Sequence, residues 1–304
     1  MSASSSVSSG GGGGGLVSYP TAADNRPYVP LQIMLPSGQW SETIEYNFDT
    51  GASWPTDIPP QLLPSFGGAV ISSARKEQPG KVRVPGFNGS QEMSVPLMVQ
   101  DKEHYDLFKS QPSRHPLCRV HDLMPYMSIT FTSRRTYLRT KTGGGNNPPN
   151  VAGGAYMMPQ AQQRAGTPTT SWYWVKGVLT GPKGTPAIDW FSINTGDRRF
   201  IFKKSLADKA GLKMAGFNSG TGEYQSVMVP SLEFTESTPP LVLHNIPVTV
   251  RLDDARFARG GLARNLCGGP NFLKKYNIVI WDNNMALVPL ISSTAQSMST
   301  RVSI

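Results

Sequence analysis

Residues 44–53 read Ile44-Glu45-Tyr46-Asn47-Phe48-Asp49-Thr50-Gly51-Ala52-Ser53. Apolar and polar residues alternate from residue 40 up to Phe48, the period-two signature of a strand. The strand runs straight into a tight turn. Gly51 lets the backbone turn sharply and approach a partner chain closely, because it has no Cβ. Asp49 is therefore expected at the end of a rigid strand. The hydroxyl of Thr50 is placed to tie this turn to a second, similar one.

Working outward, the same grammar occurs twice. In the first half an apolar run over 28–35 meets Pro36-Ser37-Gly38 and returns through residues 40–48 into Asp49-Thr50-Gly51. In the second, residues 172–179 meet Gly181-Pro182-Lys183-Gly184 and return through 187–193 into Asn194-Thr195-Gly196, 145 residues after the first tripeptide. A short stretch with helical spacing follows each tripeptide, at 60–63 and 205–212. A Gly-rich hairpin comes next, with tips at Gly86-Phe87-Asn88-Gly89 and at 216–222; Asn-Gly is a strong tight-turn signal. The last shared block is Leu117-Cys118-Arg119 against Leu266-Cys267-Gly268. Its offset of 149 residues also superposes Ile129 on Ile278 and the two cysteines on each other. The chain reads as a duplicated β domain.

Composition agrees. Of 304 residues 16% are charged and 38% hydrophobic, with 31 Gly and 26 Pro, which favours a turn-rich β protein over a helical one. Residues 1–16 are Ser/Gly-rich and read as a disordered tail. Residues 141–170 read as a flexible linker between an N-terminal β lobe, 17–140, and a C-terminal β lobe, 171–304. The net charge of +9 attracts polyanions in general. The densest basic stretch, 134–141, has neither an aromatic ladder nor zinc spacing, so nucleic acid is not an expected partner. Two cysteines make no disulfide framework, and His115, Cys118 and His121 lack metal-ligand spacing; no metal or cofactor is expected. Gly181-Pro182-Lys183-Gly184-Thr185 lacks the order of a phosphate loop and reads as a hairpin turn. The cluster Trp172-Tyr173-Trp174 reads as strand core. With no apolar run of the roughly 20 residues a membrane span needs and no signal-peptide pattern at the N-terminus, the expectation is a soluble, intracellular, cytoplasmic protein with no membrane partner.

Two turns of this kind meeting across an approximate two-fold axis bring two side chains together. Where both are acids, about 3 Å apart, they share one proton, because both cannot ionise. One then acts as base toward water and the other protonates a carbonyl. Asp49-Thr50-Gly51-Ala52-Ser53 resembles the active-site motif of the pepsin and retropepsin type of aspartic peptidase. Leu266-Cys267-Gly268 resembles that family's apolar-apolar-Gly element, and residues 272–282 the run that follows it. The resemblance implies a bilobal all-β fold, a polypeptide substrate, and endopeptidase chemistry with water as nucleophile. It also implies a hairpin flap, here assigned to residues 82–99, with Gly86, Phe87 and Asn88, and Tyr224 of the second half, against the substrate.

The sequence departs from that pattern in three places. Asn194 stands where the second acid belongs and has no acidic proton. Asp197-Arg198 replaces small hydroxyl residues, and Arg119 replaces the glycine that Gly268 supplies in the other half. Asp49 as the one catalytic carboxylate leaves several readings open. They are an endopeptidase, one completed by a homodimer pairing two first lobes, one helped by Asp197, and an impaired protease that binds peptides or a protein partner.

Overall fold

The computed structural model describes residues 6–7, 15–52, 54–67, 75–111, 113–141, 154–159, 173–213, 224–252 and 265–290. The first half runs β1 (Ser6–Val7), β2 (Leu16–Pro20), β3 (Tyr28–Ile33), β4 (Ile44–Asp49), β5 (Thr56–Asp57), β6 (Lys76–Arg83), β7 (Met93–Val99), α1 (Lys102–Ser110), β8 (Leu117–Arg119), β9 (Met127–Phe131) and β10 (Arg135–Thr140). After β11 (Tyr156–Met157), the second half runs β12 (Trp174–Thr180), β13 (Pro186–Asn194), β14 (Phe200–Lys203), α2 (Lys204–Lys209), β15 (Tyr224–Phe234), β16 (Leu241–Arg251), β17 (Asn265–Gly268), α3 (Gly269–Phe272), β18 (Tyr276–Trp281) and β19 (Asn284–Pro289). No helix among the described residues is long and apolar enough to cross a membrane.

Each half has its own sheet. The first is ordered β5-β7-β6-β3-β4-β8; the second closes into a barrel, β12-β13-β17-β14-β16-β15. The duplication is visible in the register. Strand β4 lies parallel to β8 with Phe48 opposite Cys118 and Asp49 opposite Arg119. Strand β13 lies parallel to β17 with Ile193 opposite Cys267 and Asn194 opposite Gly268. The alternation that marks β4 as a strand does not persist in its burial: Tyr46, Asn47, Phe48 and Asp49 are all buried. Neighbouring strands and the other half cover both faces of its C-terminal end. The same holds for the last four residues of β13.

A third sheet, β1-β2-β10-β9-β18-β19-β11, joins the halves. Its middle pair, β9 with β18, sets Thr130 opposite Val279, flanked by Ile129 with Ile280 and Phe131 with Ile278. Thr130 and Val279 are 149 residues apart, so the approximate two-fold axis of the duplication passes between them. The core runs without a break from Val29, Phe48 and Cys118 through Ile129 and Ile280 to Phe191, Phe234 and Phe272. Of the aromatic cluster read as strand core, Trp174 is a buried strand residue and Tyr173, just before the strand, is buried as well; Trp172 lies outside the described residues. Each fully buried aromatic contributes on the order of 2–3 kcal/mol of transfer free energy.

Two boundaries change. Within the stretch read as linker, Tyr156 and Met157 pair with Leu287 and Ala286, and Met158 is buried with its N–H on the Met285 carbonyl. The low-complexity composition around it hides a four-residue apolar run, Ala155-Tyr156-Met157-Met158, that completes the sheet edge. Within the stretch read as a disordered tail, Ser6 and Val7 pair with Ser18 and Val17, and Leu16 already belongs to β2. Apart from Gly15, Lys141, Gly154 and Pro159, the remainder of both stretches lies outside the described residues.

Candidate active site

The turns after β4 and β13 hold one another. The Thr50 N–H donates to Thr195 Oγ1 at 3.0 Å and the Thr195 N–H donates to Thr50 Oγ1 at 3.1 Å. Each hydroxyl then donates across the interface, Thr50 Oγ1 to the Ile193 carbonyl at 2.7 Å and Thr195 Oγ1 to the Phe48 carbonyl at 2.5 Å. All four bonds are buried, where an unmade one is costly. The pairing also requires the glycines. A Cβ on Gly51 would lie 2.5 Å from Cγ and Nδ2 of Asn194, and one on Gly196 would lie 2.5 Å from Cγ of Asp49. The Asp49 and Asn194 side chains thus each lie against the glycine of the opposite turn. Each residue is only 6% exposed.

The two are chemically unequal. Asp49 Oδ1 accepts the Gly51 N–H at 2.6 Å. Asn194 Oδ1 accepts the Gly196 N–H at 2.7 Å and the Asp197 N–H at 3.1 Å. With its oxygen committed to two donors, the Asn194 amide turns its NH₂ toward the other half, where Nδ2 meets Gly51. The centre therefore combines one carboxylate with one amide donor. The mutual repulsion that makes two carboxyls share a proton is absent, and Asn194 has no proton to give at ordinary pH.

Asp197 is the next carboxyl along the chain. Burial raises its carboxyl above the usual range, but its Oδ1 accepts the Arg199 N–H at 2.9 Å, so it is tied along its own turn. That turn is seated on the apolar-apolar-Gly element. A Cβ on Gly268 would lie 2.6–2.7 Å from the Arg199 backbone N and O and the Asp197 carbonyl, while Leu266 and Cys267 beside it are buried. In the first half Arg119 occupies the equivalent place and turns to Asp122, with Nε 2.9 Å from each carboxylate oxygen and Nη2 at 2.7 Å. Burial pushes both cysteine thiols up, which keeps them protonated and inert.

Other expected site residues divide. Ala52 is buried beside Gly51; Ser53 lies outside the described residues. The flap assignment is corrected. Phe87 is fully buried, and the turn that carries Gly86 and Asn88 docks onto the shared sheet, with Tyr19 Oη donating to the Pro85 carbonyl at 3.2 Å and the Ser94 N–H donating to Tyr126 Oη at 3.0 Å. The cause is register: Val82 sits opposite Ile33, whereas the Asp49 end of β4 sits opposite Tyr28. Five residues of strand, about 17 Å, separate the two. Tyr224 opens β15 opposite Arg251. A homodimer of first lobes would have to displace the second half from Thr50 and from β9, both of which it already occupies.

Two clusters escaped the sequence reading. Asp57, with no exposed surface, accepts from Trp54 Nε1 at 3.0 Å, Gln100 Nε2 at 2.5 Å and the Leu117 N–H at 2.9 Å. It thereby fastens the chain that leaves the Asp49 turn to β7 and β8. Asp24 binds both Arg26 and Arg198, joining the halves beside the Asn194 turn. A carboxylate following Trp54-Pro55-Thr56 and the charged pair Asp197-Arg198 were the only local signals of these clusters.

Among solved structures, the aspartic proteinase from Irpex lacteus superposes with a TM-score of 0.50 at 13% identity, over 93% of this chain and 99% of that one. A retropepsin-like aspartic protease from Rickettsia conorii covers 44% of this chain and 89% of its own, at 17% identity and a TM-score of 0.29. No family model and no curated protein matches the chain. Duplicated sheets, a shared sheet on the axis and interlocked Asp-Thr-Gly and Asn-Thr-Gly turns give one conclusion: the chain has the bilobal all-β fold of the aspartic proteases.

Proposed function

We propose that this chain binds extended polypeptides at the Asp49–Asn194 centre and that the amide at 194 disables hydrolysis there. The observation that carries the reading is the Asn194 amide itself, which faces the opposite turn with its oxygen already committed to the Gly196 and Asp197 N–H groups. Asp49 retains what a base needs, an oriented carboxylate at a strand end. The step that protonates the substrate carbonyl or leaving amine has no donor in the pair. Losing one general acid costs on the order of 10²–10⁴ in rate.

A second reading, an endopeptidase that activates water through Asp49, is favoured by the intact Asp49 turn, with its 2.6 Å bond from Gly51 and the reciprocal threonine bonds. Neither reading calls on a metal or cofactor. Wild type, Asp49→Ala and Asn194→Asp are to be assayed between about pH 3 and pH 7 for binding of labelled peptides and cleavage of an unfolded protein. Binding without turnover in the wild type, and turnover in Asn194→Asp, is expected. Turnover by a monomeric wild type that Asp49→Ala abolishes would establish the second reading instead.

A further inference from the structure

The two interlocked turns differ most in the residues just beyond them. The first half continues Ala52-Ser53-Trp54; the second continues Asp197-Arg198-Arg199. Arg198 reaches over to the first half, where Nη2 binds Asp24 Oδ2. The same oxygen accepts Arg26 Nε at 2.7 Å and Tyr28 Oη at 3.3 Å, while Asp24 Oδ1 accepts the Arg26 N–H at 3.1 Å. Arg26 also lies over the Tyr28 ring, 5.4 Å from its centroid, and Tyr28 in turn packs on His115 at 4.1 Å. Arg26 is thus held in place by backbone, carboxylate and ring. Arg198 has one engaged nitrogen and a side chain 56% exposed, against 26% for Arg26 and 18% for Asp24.

The charges do not cancel. Two guanidinium groups share one carboxylate. Burial opposes ionisation of Asp24, yet Arg26 and Arg198 hold it below the usual carboxylate range. Asp197, the other carboxyl here, has Arg199 as a charge partner of its own, so three guanidinium groups stand beside two carboxylates. Beside the Asn194 turn the surplus of positive charge falls on the most exposed and least restrained member, Arg198. A guanidinium offers a planar fork of donors that matches a second carboxylate.

We infer that the wall formed by Arg198 and Arg26 beside the Asn194 turn is a subsite for an acidic side chain of a bound peptide. This rests on the peptide-binding reading above. Arg198 engages the incoming Asp or Glu while Arg26 keeps Asp24 neutralised, so no carboxylate is left unpaired. An exposed ion pair of this kind supports a preference of about fivefold for Glu over Gln at one peptide position, and a similar penalty for Lys.

The test uses fluorescein-labelled decapeptides in which Glu, Gln or Lys is placed at each position in turn. Binding to the full chain is followed by polarisation at about 50 mM and about 300 mM salt, where screening differs strongly. The expected result is the order Glu, Gln, Lys at a single position, compressed at the higher salt. Arg198→Gln should abolish the order and Arg198→Glu invert it, with thermal melting showing that both variants remain folded. Equal binding of the three peptides, or an unchanged order in Arg198→Gln, overturns the subsite but leaves peptide binding standing. Absence of binding by every peptide overturns both. A single-stranded oligonucleotide that competes at lower concentration than the Glu peptide, with a steep salt slope, would make the wall a polyanion site and also overturn the inference.

Discussion

Asn194→Asp exchanges one NH₂ for an oxygen at the point where the two halves meet, and nearly everything around it can stay in place. The Gly196 and Asp197 N–H groups, at 2.7 and 3.1 Å from Oδ1, serve a carboxylate as well as an amide. The oxygen that replaces Nδ2 enters the space against Gly51 and faces the Asp49 half. Two carboxyls in that relation hold one proton between them, so one of the pair titrates above its unfolded value near 3.9. The sign follows. A group whose folded pKa is raised contributes stability that is complete below the unfolded pKa and is lost as pH rises through the folded pKa. A shift of one to two units corresponds to about 1.4–2.7 kcal/mol. The variant should therefore match the wild type near pH 3 and fall behind it by about that amount by pH 7, in urea melts taken across the range. The same shared proton supplies the missing general acid, so cleavage of an unfolded protein should rise by about 10²–10⁴, with its optimum on the acid side. A folded variant whose stability tracks the wild type at every pH, and which cleaves nothing, would refute the claim that positions 49 and 194 form a functional pair.

Other consequences are more local. Thr195→Val removes the acceptor of the Thr50 N–H and the donor to the Phe48 carbonyl; two buried groups left unmet should cost about 2–5 kcal/mol in urea unfolding, and Thr195→Ser should restore most of it. Phe87→Ala should lose about 3–5 kcal/mol without weakening peptide binding, since the ring is core; a loss of affinity with unchanged stability would return that turn to the groove. Gly268→Ala places a methyl 2.6–2.7 Å from the Arg199 and Asp197 backbone at an ordinary φ of −60°. The penalty is steric, about 1–3 kcal/mol, and should appear as a lowered melting temperature together with weaker peptide binding, because the turn carrying Arg198 must move.

The duplication was legible because strand period, turn chemistry and the spacing of repeated motifs are local properties. Offsets of 145 and 149 residues mapped Thr50 onto Thr195 and Cys118 onto Cys267, and the β4/β8 and β13/β17 registers follow them. The amide at 194 was equally plain, since it is a matter of residue identity. Composition misled where a short apolar run lay inside a polar one: Tyr156 and Met157 look like linker until β19 is there to pair with them.

By itself the sequence determined that two copies of one β unit exist and that one carries an acid where the other carries an amide. Only the tertiary structure decided which end of a sheet a hairpin tip reaches, so that Phe87 is core rather than flap. It alone joined Asp24 to Arg198 across 174 residues and gathered Trp54, Gln100 and Leu117 around Asp57. The reason is that period and turn preference constrain a chain only over a few residues, whereas these contacts form when whole sheets pack and bring together groups that no local pattern relates.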